Sequence, residues 1–214
     1  MKILNLYAGI GGNRKLWGDK HEVTAVEFNS AIAAIYQDLF PNDKVIVGDA
    51  HEYLLEHYKE FDFIWSSPPC PTHSRMCFSF NNRKRKYPDM KLWQEIIFLK
   101  FWFKGKYVIE NVISYYEPLI KPQKISNHYF WANFEIKEFN EIRPKVRNDK
   151  GQTFKVKATA WGIDIKEFHG YKGDKRTLIN NCVNNKLGLH IFNCAFKTKQ
   201  KELKLKYFGK ELIK

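Results

Sequence analysis

The alternation of short apolar runs with helical ones in the first half of the chain limits its fold more than any other feature. "KILNLY" has the length of a strand and ends in the glycine run "AGIGGN". A helix is expected from Asn13 to Gly18, and "EVTAVEFN" then predicts a second strand that ends in an acid. "SAIAAIYQDLF" has helical spacing, with Ser30 as its N-cap and Pro41 just past its end. "KVIVGDA" predicts a third strand, "HEYLLEHY" a helix, and "FDFIWSS" a fourth strand. Units of this length predict an α/β fold with a mostly parallel twisted sheet and helices on both faces. Ligands of such sheets bind beyond the carboxyl ends of the strands. Those ends carry, in turn, the glycines, Glu27, Asp49 and Cys70.

The fourth strand leads into "SSPPCPTHSRM", where Cys70 stands between a proline pair and Pro71, and then into a basic loop, "NNRKRKYPD". "MKLWQEIIFLKFWFKG" predicts a buried helix: Leu92, Ile96, Leu99 and Phe103 share one face, and Trp93 and Ile97 widen the stripe. "KYVIENV" is a fifth strand with Glu110 near its end, and "HYFWANFEIKEF" is expected as a hairpin turning near Asn133. Residues 140–175 are basic and weakly periodic, "KLGLHIFNCAFKTK" predicts a closing helix, and the lysine-rich tail is expected as a solvated helix. The expected organisation is a core over 1–139, a small insert over 140–175, and a segment over 176–214 that completes the core and carries the tail.

A net charge of +13 fits a polyanionic partner, nucleic acid first, or a solvated lysine-rich surface. Four cysteines (Cys70, Cys77, Cys182 and Cys194) form no CxxC pair, so no metal centre is expected. There is no long apolar run and no secretory leader, which predicts a reduced, cytoplasmic protein with no membrane attachment.

Gly9, Gly11 and Gly12 permit a tight turn and close approach of backbone to a ligand. Their spacing is neither the dinucleotide fingerprint nor a P-loop. Glu27 lies fifteen residues beyond Gly12 at the next strand end, where an acid accepts both ribose hydroxyls of a nucleoside. Asp49 suits an adenine amino group by the same logic. Cys70 is either a buried structural thiol or a nucleophile. Arg75, Arg83, Lys84, Arg85 and Lys86 follow it and would supply a field that favours thiolate. The prolines fix φ and would carry the thiol on a stiff loop. Glu110 either reaches the same crevice or serves as a cap or ion-pair acid.

In order, "NLYAGIGG", Glu27, "GDA", "SPPC" and "ENV" resemble the DNA cytosine-5 methyltransferases, and "INNCVNNKLGLHIF" is similar to that family's last motif. The match runs from residue 4 to about 196, and its compact form resembles enzymes carried by bacterial viruses. The resemblance implies a Rossmann-like fold that binds S-adenosylmethionine. Tyr7, Ala8, Gly9, Ile10, Gly11, Gly12, Glu27, Phe28, Asp49, Ala50, Pro68, Asn181 and Val183 would form the cofactor site. Cys70 would be the nucleophile, Glu110 the donor to cytosine ring nitrogen 3, and Asn127 a further catalytic residue. Double-stranded DNA would be the partner of a monomeric enzyme, with Ser74, Arg75 and the basic run Arg83–Lys86 on its phosphates and the target base flipped out.

Several positions depart from the family pattern. Pro71 replaces the usual glutamine after the cysteine. Ile125 and Asn127 stand where the Gln-x-Arg-x-Arg motif has arginines, and Asn127 lacks the charged fork that would hold the cytosine carbonyl. His128, Arg143 and Arg147 are candidate substitutes. Asn180, Asn184 and Asn185 replace a glycine and two prolines of the last motif. A short 140–175 region in place of a full reading domain predicts few base contacts and a short or relaxed target. An RNA cytosine methyltransferase, or a non-catalytic nucleic-acid-binding protein, remains the alternative.

Overall fold

The structure, a computed structural model, describes residues 1–75, 87–140, 153–164, 168 and 170–196. The strands are β1 (Lys2–Leu6), β2 (Glu22–Glu27), β3 (Lys44–Val47), β4 (Phe63–Ser66), β5 (Lys106–Val112), β6 (Gln123–Ile125) and β7 (His128–Ala132). The α-helices among the described residues are α1 (Ser30–Leu39), α2 (Ala50–His57), α3 (Lys91–Trp102), α4 (Thr153–Ala160), α5 (Lys175–Asn180) and α6 (Asn185–Phe196). One sheet takes the order β3-β2-β1-β4-β5-β7-β6. The first five strands in chain order run parallel, and β7 is antiparallel to both of its neighbours. The order reverses between β1 and β4, so a crevice opens at the carboxyl ends of those strands.

Strand alternation divides the core into two layers. Ile3, Val23, Phe63, Trp65 and Val108 pack with Trp17 and with Leu187, Ile191 and Phe192 of α6. Leu4, Leu6, Ile64 and Ile109 pack on the other face with Leu54 of α2 and with Leu92, Ile96 and Leu99 of α3. Side chains on both faces of the central strands are therefore buried, as a parallel sheet covered by helices requires. A third cluster joins Ile10 and Ile35 to Ala158, Trp161 and Phe168, so the described part of the 140–175 insert packs on the edge of the core.

Local details differ from the sequence expectations. Residues 13–18 form only a 3-10 turn, Arg14–Leu16. The Asn13 side chain donates to Asn5 Oδ1 (2.8 Å) instead of capping a helix, and Arg14 is drawn into a buried pair with Asp43. Asn29, not Ser30, caps α1, accepting from the amides of Ala31 and Ile32. The hairpin turns at residues 126–127, where Ser126 adopts φ 52°, and its partner strand precedes it. Asn133 instead clamps β5, accepting from Tyr107 N and donating to Gly105 O. In α3 the predicted face is buried, but Ile97 is 45% exposed. The tail beyond residue 196, Cys77, Arg143 and Arg147 lie outside the described residues. Among those described, no helix is long and apolar enough to cross a membrane.

Helix α6 reaches the glycine loop through Gly188. A Cβ there would lie 2.5 Å from Asn13 O and 2.7 Å from its Cα, both backbone atoms. Gly188→Ala is expected to cost about 1–3 kcal/mol by overpacking, despite alanine's better helix propensity. Urea unfolding would register it as a lower midpoint at unchanged slope.

Candidate active site

A cleft of about 550 Å³ opens at the carboxyl ends of β1, β2, β4 and β5. That volume lies within the range of small-molecule sites. Its first wall is the turn after β1. Tyr7 (φ 54°), Gly9 (φ 54°) and Gly11 (φ 74°) have left-handed backbone conformations. Nothing lies within 4 Å of a Cβ built at Gly9, so its backbone is open to a ligand. Gly11 points the other way: its Cβ would strike Phe40, and it does not line the cleft. At Gly12 a Cβ would sit 2.3 Å from Cys182 Sγ and 2.5 Å from Val183 O. The segment 181–183 therefore closes directly over the glycine turn, and Asn181 and Val183 line the cleft. Burial pushes the Cys182 thiol up to about 12, which keeps it protonated and inert.

The second wall comes from β2 and α2. Glu27 accepts from Gly9 N through one oxygen (3.0 Å) and from Asn29 N through the other (2.9 Å). Each oxygen keeps a lone pair, so the carboxylate is oriented and still able to accept ribose hydroxyls. Phe28, next in the chain, is 79% exposed and offers a ring at the cleft edge. Tyr7, Ala8, Ile10, Asp49, Ala50 and Pro68 also line the cleft. Asp49 is more committed than its position suggested. It caps α2 through His51 N and Glu52 N, and its other oxygen lies 3.4 Å from Lys91 Nζ. Burial works to raise its pKa, but the Glu52 and His51 amides and Lys91 together hold it below the usual carboxylate range.

The third wall carries the thiol. Cys70 lines the cleft with Pro68, Pro69 and Pro71. His73 N and Ser74 N both donate to Cys70 O at 3.0 Å, so Pro71 occupies the second position of a tight turn, which proline favours. Asn111 Nδ2 donates to Pro68 O (3.0 Å), tying the platform to β5. Beyond the turn, Tyr115 N donates to His73 O, Ser74 bridges Ser114, and Arg75 Nε reaches Ser114 O at 3.4 Å. Ser74 and Arg75 thus stitch the loop to the segment after β5 and do not line the cleft. Arg83, Lys84, Arg85 and Lys86 lie outside the described residues.

Glu110 enters from β5 and lines the same cleft as Cys70. The β5–β7 register pairs Val112 with His128 and Glu110 with Phe130. His128 is therefore the diagonal neighbour of Glu110 on one sheet face, and its Nε2 lies 3.7 Å from Glu110 Oε1. Asn127 is exposed in the 126–127 turn and lies outside the cleft lining, whereas His128 belongs to it. The antiparallel start of β7 brings the histidine, not the asparagine, to the carboxyl edge.

A family model described as C-5 cytosine-specific DNA methylase matches residues 1–118, more than half of the 214. The chain belongs to that family. The matched span contains the glycine turn, Glu27, Cys70 and Glu110, and ends before His128 and α4–α6. Among solved structures it is similar to a mutant DNMT2 of Spodoptera frugiperda (22% identity, 70% of this chain and 56% of that one, TM-score 0.45). It is also similar to a putative prophage-encoded DNA modification methyltransferase of E. coli (19%, 55% and 33%, TM-score 0.38). A third likeness is to a SAM-dependent methyltransferase of Agrobacterium tumefaciens (16%, 54% and 40%, TM-score 0.41). The chain thus spans between a third and just over half of these chains. A search of curated proteins finds no match.

The residue that motif reading missed is Glu95. It lies fully buried in the middle of the apolar stripe of α3. It accepts from Tyr7 Oη (2.6 Å) and Ser66 Oγ (2.7 Å), and His51 Nδ1 lies 3.1 Å away. An acid out of phase with its neighbours' polarity was the available signal. The hydrogen bond to Glu95 is the main cause of a raised His51 pKa, against the opposing effect of burial. His51 therefore contributes stability that is fully present below its unfolded value of 6.5 and is lost as pH rises through the folded value. His51→Gln should accordingly destabilise the protein more near pH 6 than at about pH 9, in paired urea titrations. An unchanged gap between those pH values would contradict the raised pKa.

Proposed function

We propose that the methylase transfers a methyl group from S-adenosylmethionine to carbon 5 of a cytosine in double-stranded DNA, through a covalent bond to Cys70. The observation that carries this reading is the presence of Cys70 and Glu110 in the same cleft as the open glycine turn and the oriented Glu27. The cofactor fits the residues present: backbone is exposed at Gly9, a carboxylate with spare lone pairs stands beside it, and an aromatic ring borders the cleft. Gly9, Glu27 and Phe28 would hold the nucleoside, with Asn181 and Val183 as the cover.

The chemistry follows from cytosine itself. Carbon 5 is a poor nucleophile, and a sulfonium supplies an electrophilic methyl group when the cofactor is bound. Cys70 thiolate attacks carbon 6, forming the S–C bond and driving an electron pair toward carbon 5. Protonated Glu110 donates to ring nitrogen 3 and stabilises the charge that builds there. His128, whose Nε2 lies 3.7 Å from Glu110 Oε1 and which lines the cleft, would donate to the base carbonyl in the role expected of Asn127. Once carbon 5 carries the methyl group, a base removes its proton, the C5–C6 double bond re-forms and the thiolate leaves. A duplex base must leave the stack to reach Cys70.

The net charge of +13 and the family's description favour DNA as the partner; we take the enzyme to act on it as a monomer. We take 1–139 and 176–214 as the catalytic core. The described part of 140–175 packs on Ile10 and Ile35, and the shortness of that region is the reason we take the target to be short or relaxed.

Labelled methyl donor offered with duplex DNA, single-stranded DNA and tRNA tests the proposal. Label is expected in duplex DNA, with a loss of at least ~10³-fold for Cys70→Ala and about 10²-fold for Glu110→Gln. A fluorinated cytosine should trap an adduct that maps to Cys70. Label only in tRNA would replace the substrate, and no label with DNA still retarded on a gel would end the enzymatic reading.

A further inference from the structure

An ionisable side chain in the centre of a buried apolar helix face costs stability unless something holds it. Glu95 sits in such a place, between Leu92, Ile96 and Leu99, and is completely buried. An apolar residue would serve the packing of α3 better. Its three partners explain its presence, because each comes from a segment that builds the cleft. Tyr7 begins the glycine turn, Ser66 ends β4 directly before the Ser67–Cys70 platform, and His51 follows Asp49 and Ala50 in the first turn of α2. Glu95 itself rides on the helix whose first turn presents Lys91 and Leu92 to the same cleft. Tyr7 also has φ 54°, a conformation that costs a non-glycine residue about 1–3 kcal/mol and persists only when its surroundings impose it. The short bond from its hydroxyl to Glu95 is such an anchor.

We propose that Glu95 is a positioning residue: one carboxylate behind the cleft holds the glycine turn, the thiol platform and the start of α2 in a common register. This rests on the function proposed above, since the register matters because methyl donor and thiol must meet at one base. Misplacement of reacting groups by an ångström lowers rates about 10²-fold. Glu95 does not line the cleft and touches no reacting atom, so its effect runs entirely through its three partners.

Two substitutions separate the hydrogen bonds from the bulk. In Glu95→Gln the amide oxygen still accepts from Tyr7 and His51, while the amide nitrogen donates to the Ser66 hydroxyl, which is able to accept. Glu95→Met fills similar volume and makes none of these bonds. The experiment measures S-adenosylhomocysteine binding by calorimetry and trapping of Cys70 by a fluorinated-cytosine duplex, at a temperature where circular dichroism shows each variant folded. Glu95→Met is expected to weaken cofactor-product binding and slow trapping, each at least about tenfold, with Glu95→Gln within about threefold of the parent. A role confined to stability would lower the melting temperature of Glu95→Met and leave both readouts at parental values, which overturns the proposal. So would a folded Glu95→Gln as impaired as the methionine variant. If Glu95→Met does not fold, Tyr7→Phe decides: loss of that single hydroxyl must weaken S-adenosylhomocysteine binding, and unchanged affinity refutes the positioning role. A parent protein that binds no S-adenosylhomocysteine would instead refute the function on which the proposal rests.

Discussion

The close approach of the chain's late segments to its first turn is the contact on which the site depends. Gly12 lets Cys182 and Val183 lie directly on the glycine turn, and Gly188 lets α6 lie on Asn13. A side chain at either glycine would drive backbone away from backbone. The turn after β1 is thus held from the sheet side by Asn13 on Asn5 and from above by residues nearly the whole chain length away. A parallel sheet supplies the crevice, but its carboxyl edge is open by construction. Here it becomes a bounded cleft where α5 and the 181–183 segment return to cover it.

Two buried charge clusters flank that turn. On one side Arg14 forms a bidentate pair with Asp43, Tyr36 adds a hydrogen bond to the same carboxylate, and Phe40 stacks on the guanidinium. Phe40 and Tyr36 also fill the space that a side chain at Gly11 would need. On the other side lies Glu95 with Tyr7, Ser66 and His51. Buried ion pairs add little stability against an apolar alternative, because desolvation offsets their attraction. What they contribute is direction, since a hydrogen bond fixes an angle that dispersion leaves free. Both clusters attach at or beside strand ends: Asp43 directly before β3, Tyr7 directly after β1 and Ser66 as the last residue of β4.

The parts of the molecule legible in the sequence are those governed by local periodicity. The apolar runs of β1, β2, β4 and β5 and the stripes of α3 and α6 lie where their spacing put them, and Glu27, Cys70 and Glu110 fall at the strand ends that the alternation predicted. The misread parts depend on distant partners. Residues 13–18 have helical composition, but Asn13 and Arg14 are claimed by Asn5 and Asp43. The hairpin turns at 126–127, since Asn133, a good turn residue, is taken by the backbone of Gly105 and Tyr107. Asn127 and His128 are adjacent in sequence, and only the antiparallel register with β5 decides which of them reaches Glu110. Glu95 is invisible to motif reading because its meaning lies in three residues spread over sixty positions of chain.

Pro71 illustrates how a departure from a family pattern becomes intelligible once the backbone is known. In a loop that had to stay extended, a proline after Cys70 would restrict movement. Here the chain turns immediately after Cys70, and the carbonyl of Cys70 accepts from both His73 and Ser74. Proline's fixed φ suits the second residue of such a turn, and its missing N–H is not needed there. The following residues are already bound to the 114–116 segment, and Thr72 accepts from Asp89 N at the other side. The Cys70 thiol is thus carried on a turn held at both ends, which is the pre-ordered placement that the proposed attack on a base would require.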